Sequence, residues 1–195
     1  MNNFSGYRCS LCSKEYSPDE VTYTCPIDGG NLDIILDYEQ IRRSSVLSNI
    51  TSSPDQSLWR YLPLLPVEDP GGLGTPLRIA GGTPILEPIH LSKEVGVKRL
   101  WVKDEGKNPS ASFKDRASSV VVARARELKS EVVVTASTGN AGAALACMAA
   151  AVGQPAVIFA PKTAPQAKVA QLLVFGARVI LVDGNYDSAF DLTIE

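Results

Sequence analysis

The second half of the chain constrains the fold most. Short apolar runs at residues 132–136, 156–160 and 178–182 are rich in valine, isoleucine, leucine and alanine. Residues 112–129, 140–152 and 165–175 read as helices around them, residues 188–195 as the start of another, and residues 100–102 as one more strand. Strand and helix alternate about every 20–25 residues, which predicts an α/β fold of βαβ units around a parallel sheet. The strand runs are continuous rather than alternating, as strands covered on both faces require. Ligands of such sheets bind where strands end and loops lead into helices. The loops at 108–116 and 135–142 are therefore the first places to look for chemistry.

Upstream the pattern changes. Residues 1–36 read as a small cysteine-bearing β unit, residues 37–97 as a linker helix and an extended arm, and residues 98–195 as the α/β domain. The arm is rich in proline and glycine, yet Trp59, Tyr61, Leu62, Leu64 and Leu65 make it too apolar for a free linker. A formal charge of −2 argues against a nucleic-acid surface spread over the chain. No run of the roughly 18 apolar residues that a membrane span needs occurs. The opening MNNFSGYRCS lacks the basic-then-apolar pattern of a secretion signal. Three of the four cysteines crowd into the first 25 residues, which does not suggest a disulfide framework. A reduced, cytoplasmic setting is expected.

In the loop NPSASFKDR, Ser112 is a natural helix N-cap, and Asp115 three residues on resembles a capping box. Lys114 then falls in the first turn, facing the positive end of the helix dipole at a cost of about 0.3–1 kcal/mol. That field favours the neutral amine, and burial lowers a lysine pKa further. A neutral, desolvated lysine is what Schiff-base chemistry needs. An ordinary solvated lysine, offset by Asp115, fits the same spacing. The second loop, Thr135 to Gly142, follows a strand and opens a helix, so its N–H groups suit a carboxylate or phosphate. Gly139 and Gly142 permit close approach of the backbone to a ligand, and Ser137, Thr138 and Asn140 add side-chain donors. A capped turn with no ligand fits this spacing too.

Taken together, NPSASFKDR at 108–116 and STGNAG at 137–142 resemble threonine synthase and its pyridoxal-phosphate relatives. KDEGKNPSASFKDR (103–116) is similar to that family's KxExxNPTGSFKDR, and VAQLLVFGARVILVDGNYDSAFDLT (169–193) to its stretch beyond the second loop. The resemblance covers nearly the whole chain. It implies the tryptophan synthase β-like pyridoxal-phosphate fold (fold type II), a three-layer parallel-sheet α/β architecture, here preceded by a zinc-ribbon-like β unit. It implies that Lys114 forms the Schiff base with pyridoxal 5′-phosphate and moves protons on the substrate. Asn140 holds the cofactor's ring hydroxyl, and Ser137, Thr138, Gly139 and Ala141 lie at the substrate carboxylate. The implied reaction is that of a carbon–oxygen lyase, converting O-phospho-L-homoserine and water to L-threonine and phosphate in threonine biosynthesis. The implied partners are that amino-acid substrate and a second copy of the chain, with no nucleic acid and no membrane. Ser110 stands for the usual Thr, Ala111 for the usual Gly, and Ala141 where many threonine synthases carry Thr. Cysteate synthase and threonine dehydratase chemistry, or a non-catalytic fragment, are the alternatives. Neither the family's later glycine-rich phosphate loop nor its pyridine-nitrogen partner is visible, so the expectation is the N-terminal half of a larger enzyme, without turnover alone.

The spacing Cys9-x2-Cys12-x12-Cys25-x2-Asp28 is that of a zinc ribbon with its fourth thiolate replaced by a carboxylate. A ribbon held by its own packing, through Tyr7, Tyr16, Tyr23 and Leu32, fits as well. Cys147 sits among small and apolar residues and reads as buried packing. Asp104 and Glu105, just past a strand's end, could tune the lysine or cap a helix, and the structural role is the expected one. Lys162 and Lys168 read as solvated or as facing a substrate phosphate. Trp59 and Trp101 are expected in the core.

Overall fold

The computed structural model describes residues 3–21, 23–44 and 46–194. Thr22 in the ribbon, Ser45 in the expected linker helix and Glu195 at the expected end of the last helix lie outside the described residues. Two compact units emerge, one of Met1–Asp55 with Trp59–Asp69, the other of Gln56–Leu58 with Pro70–Glu195.

The first unit is built on three antiparallel strands, β1 (Phe4–Cys9), β2 (Glu15–Tyr16) and β3 (Leu32–Leu36), in the order β2-β1-β3. Gly6 makes the close pairing possible, because a Cβ there would lie 2.1 Å from the Tyr16 carbonyl oxygen. The chain continues into two short helices, α1 (Tyr38–Arg43) and α2 (Val46–Ser52). Asp37 caps the first by accepting from the Gln40 amide. The apolar start of the expected arm is a 3-10 turn, Leu58–Leu64, in which Trp59 is buried.

In the second unit, two further 3-10 turns (Gly72–Gly74 and Pro76–Ile79) lead to β4 (Ile85–Leu86), α3 (Ile89–Val95) and β5 (Val102–Lys103). There follow α4 (Lys114–Glu127), β6 (Val133–Ala136), α5 (Asn140–Ala151), β7 (Ala156–Pro161), α6 (Gln166–Val174), β8 (Arg178–Val182) and α7 (Tyr186–Asp191). Strands β6, β7 and β8 form a parallel sheet in sequence order, with Val133 opposite Ala156 and Val157 opposite Arg178. Helix α5 is the centre of this unit. Ala143, Ala144, Leu145, Ala146, Met148 and Ala149 are all buried. Its small side chains let it pack closely against α4 and β7. Among the described residues no helix is long and apolar enough to cross a membrane.

Three expectations need correction. The strand placed at 100–102 is Val102–Lys103, and it pairs antiparallel with β4 rather than joining the parallel sheet. All four residues of this two-residue ladder are exposed, and Trp101 beside it is 58% exposed with the Arg99 guanidinium over its ring, not in the core. Helix α3, unmarked in the sequence reading, ends on Gly96 in the left-handed conformation. The last helix begins at Tyr186, two residues early, because Asn185 caps it by accepting from the Ser188 amide.

Candidate functional site

Helix α4 starts at Lys114, and its opening loop is wired to a buried carboxylate. Ser112 accepts from the Lys114 amide at 3.1 Å, but it stands one residue before the N-cap position, which Phe113 takes without a side-chain cap bond. The expected capping box is different. Asp115, fully buried, turns away from Ser112 and accepts from the Ser110 amide (2.8 Å) and the Ser110 hydroxyl (2.7 Å). Ala111 between them has φ of +57°, a left-handed conformation that glycine tolerates best. With Asp115 directed inward, Lys114, one residue earlier on the helix, is directed out. It is exposed rather than buried, with its Nζ 6.0 Å from the centre of the Phe113 ring.

Behind this loop lies a polar network. Arg116 donates through Nε and Nη2 to both Glu105 oxygens at 2.8 Å. Thr83 donates to Glu105, and Asn108 Nδ2 donates to the same carboxylate while its Oδ1 accepts from the Gly81 amide. The Arg116 guanidinium holds the Glu105 carboxyl down at about 2, against 4.5 ordinarily. Gly81 (φ +95°) is required, since a Cβ would lie 2.5 Å from the Leu58 amide nitrogen. Asp104 caps the 3-10 turn Glu105–Lys107. Both acids are therefore structural, as expected.

The second loop opens α5. Ser137 is buried, and its Oγ accepts from the amides of Gly139 (3.2 Å) and Gly142 (2.9 Å). Gly142, in the first turn of α5, is small because of protein packing rather than a ligand: a Cβ there would meet Ser137 Cβ at 3.0 Å and Ile158 of β7 at 3.3 Å. Gly139 faces open space instead. Among the described residues, the amides of Thr138, Asn140 and Ala141 have no protein acceptor. They form an unsatisfied donor set at the positive end of a 12-residue helix, which suits an anion. Asn140 and Ala141 are exposed, and Thr138 is half-buried.

Lys168 on α6 reaches this loop, donating to Asn140 Oδ1 at 3.1 Å and to Gln171 at 3.4 Å. The bond leaves the Asn140 amide nitrogen as the free end of that side chain. Only the tertiary structure brings these two residues together, because 27 residues separate them in sequence. Lys162 is solvated, in an exposed pair with Asp183 at 2.9 Å. Cys147 is half-buried, not fully buried, and burial followed by the nearby Asp115 charge pushes its thiol up.

In the ribbon, Cys9, Cys12, Cys25 and Asp28 converge, their ligand atoms all within 4.8 Å of one another. Cys9 and Cys25 are buried, while Cys12 and Asp28 are exposed. Cys9 Sγ accepts from the amides of Leu11 (3.3 Å) and Cys12 (3.4 Å). The Asp28 carboxyl is held at about 2, chiefly by the Gly30 amide. All four cysteines of the chain are free thiols.

An exposed primary amine at one helix start suits an aldehyde-bearing cofactor, and the amide and open N–H donors at the next suit a ring hydroxyl and a separate anionic group. The family comparison agrees. Residues 77–195 match the model of the family described as pyridoxal-phosphate dependent enzyme. The chain is 44% identical over 186 residues to threonine synthase of Methanocaldococcus jannaschii, covering 95% of this chain and 45% of that protein. It is 44% identical over 187 residues to threonine synthase of Methanosarcina acetivorans, covering 95% and 44%. The chain thus spans about 45% of the length of these relatives. Diaminopropionate ammonia lyase from Escherichia coli is similar in structure, with a TM-score of 0.53 at 31% identity over 57% of this chain and 33% of that one. Maize serine racemase gives 0.51 at 32% identity, over 56% and 34%. On the match of its larger unit, the chain belongs to the family of pyridoxal-phosphate dependent enzymes.

Proposed function

We propose that the chain carries the chemistry of a threonine synthase, acting on O-phospho-L-homoserine and water to give L-threonine and phosphate. The relatives named above support that substrate class. When bound, pyridoxal phosphate supplies an electron sink that no side chain offers. Lys114 would hold it covalently through its amine, and Asn140 would hold its ring hydroxyl. The observation that carries the reading is the set of unsatisfied amides at Thr138, Asn140 and Ala141, on the helix packed beside the one that Lys114 opens. These amides receive the substrate carboxylate. The Ser137 oxygen is committed to Gly139 and Gly142, so Ser137 shapes the loop and keeps only its hydroxyl proton for a ligand. The Lys114 amine would then serve as the base and acid that moves protons among Cα, Cβ and Cγ of the substrate. The Cγ–O bond to phosphate breaks, and water adds its oxygen at Cβ. The free thiols suit a reducing, cytoplasmic compartment.

The test has two stages. The chain mixed with pyridoxal phosphate should develop a visible absorbance band, and borohydride should then leave a pyridoxyl mass on Lys114. Persistence of the band in Lys114→Ala, or the mass on another lysine, overturns the assignment. In a protein that carries this chain extended to the length of the threonine synthase relatives, phosphate release from O-phosphohomoserine is then compared with release from O-phosphoserine plus sulfite. Release from phosphoserine alone moves the protein to cysteate synthesis, the outcome favoured if the methyl of Ala141 cannot replace a substrate-binding hydroxyl.

A further inference from the structure

The thiol cluster lies in the other unit from Lys114 and Asn140, and its geometry carries an assignment of its own. The buried cluster of the ribbon consists of Cys9, Tyr16, Val21 and Cys25, so half of it is cysteine. So small an apolar core contributes little, and small sheets of this kind are usually stapled by a metal or disulfides. A disulfide is not what the strands arrange: Cys12 Sγ and Cys25 Sγ stand 3.8 Å apart, against about 2.05 Å when bonded. Two thiolates at about 2.3 Å from one tetrahedral zinc ion lie about 3.8 Å from each other. A thiolate and a carboxylate oxygen on the same ion lie about 3.6 Å apart. Cys9 Sγ is 3.3 and 3.6 Å from the two Asp28 oxygens.

We propose that Cys9, Cys12, Cys25 and Asp28 form a closed, four-coordinate site of three sulfurs and one oxygen for Zn²⁺, and that this ion staples the ribbon. Thiolates select zinc over hard cations, and four protein ligands leave no open position for catalysis. The surroundings are those of a ligand set. Two amides donate to Cys9 Sγ, the Tyr16 hydroxyl meets Cys25 Sγ at 3.0 Å, and the Gly30 amide fixes Asp28 Oδ1 at 2.9 Å, leaving Oδ2 for the ion. Gly30 is needed because a Cβ there would lie 2.7 Å from Cys9 Sγ.

The test is metal analysis of the reduced 195-residue chain without added cofactor, with Co²⁺ as a spectroscopic stand-in. About one zinc ion per chain should survive dialysis, and the cobalt form should show thiolate charge transfer with intense tetrahedral ligand-field bands. Asp28→Ala should weaken zinc at least about tenfold against a competing chelator. Asp28→Cys, which keeps a ligand in place should the alanine variant fail to fold, should retain the ion and strengthen the charge-transfer band. A reduced chain that takes up neither metal overturns the site. Zinc affinity and cobalt spectra unchanged in both Asp28 variants would remove the carboxylate from the ligand set and overturn the assignment as stated.

Discussion

The ribbon and the parallel-sheet unit hold themselves together by different means. Among the described residues of the ribbon the buried cluster is four side chains, two of them thiols, with Tyr7 and Leu32 partly buried against it. In the sheet unit, Leu77, Val122, Met148 and Ile158 are completely buried, and α5 is apolar almost all round. One region is organised by a few directional contacts around a point, the other by non-directional burial. Directional sites show themselves in residue spacing, because each ligand must be a particular residue type. Burial tolerates exchange between apolar residues, so its signature is periodicity alone.

The contrast can be broken most sharply with Met148→Ala. A cavity at this position should cost about 2–5 kcal/mol in urea unfolding of the sheet unit. Metal content of the ribbon should not change, and a joint loss would mean that the two regions are not independently stabilised. Next in size is Glu105→Gln, which should cost about 1–2 kcal/mol by weakening the bonds from Arg116, Thr83 and Asn108. Its pH signature has a defined sign. The Glu105 carboxyl is lowered from 4.5 to about 2, so its contribution is complete above pH 4.5 and disappears as pH falls from 4.5 towards 2. Acid titration of the variant should be flatter than that of the parent over this window.

A smaller effect, of opposite sign, is expected at Ala111. Relief of the left-handed strain by Ala111→Gly should outweigh the added chain entropy, raising stability by roughly 0.5–1 kcal/mol. A fall in stability would show that the alanine methyl makes a contact worth more than the strain. Smallest of all, Lys162→Ala should change stability by less than about 0.5 kcal/mol, since the pair with Asp183 is exposed. A larger loss would contradict the solvated reading of Lys162.

Much of the sheet unit was legible because β-branched runs and small-residue helices alternate without interruption. Helix α5 and strands β6, β7 and β8 fall within one residue of their expected bounds. The stretch from 59 to 103 was not, because prolines and glycines there break every period and the pairings are two residues long. Strand β5 illustrates the failure: three apolar residues promise a core strand, yet its partner is the short β4 and Trp101 faces solvent. At the candidate site, the positions of Lys114 and of the two loops at helix starts were readable from motif and spacing, whereas the contacts of Asp115 were misassigned. A carboxylate three residues after a cap predicts a local bond, but burial of Ser110 offered it two better donors.

The chain's own residue order determined the βαβ alternation, the lysine at a helix start, the glycine-bearing loop that opens α5 and the spacing of three thiols and an acid. These are local properties, set by neighbours within one or two turns. Which donors stay open was decided only in three dimensions. Ser137 takes the amides of Gly139 and Gly142, Lys168 takes the oxygen of Asn140, and the amides of Thr138, Asn140 and Ala141 are left. The convergence of the ribbon's three sulfurs and one carboxylate to within 4.8 Å of one another was likewise decided there, by the fold of its strands and turns. Hydrogen-bond satisfaction is a competition between partners far apart in sequence, and residue order alone does not say which of them wins.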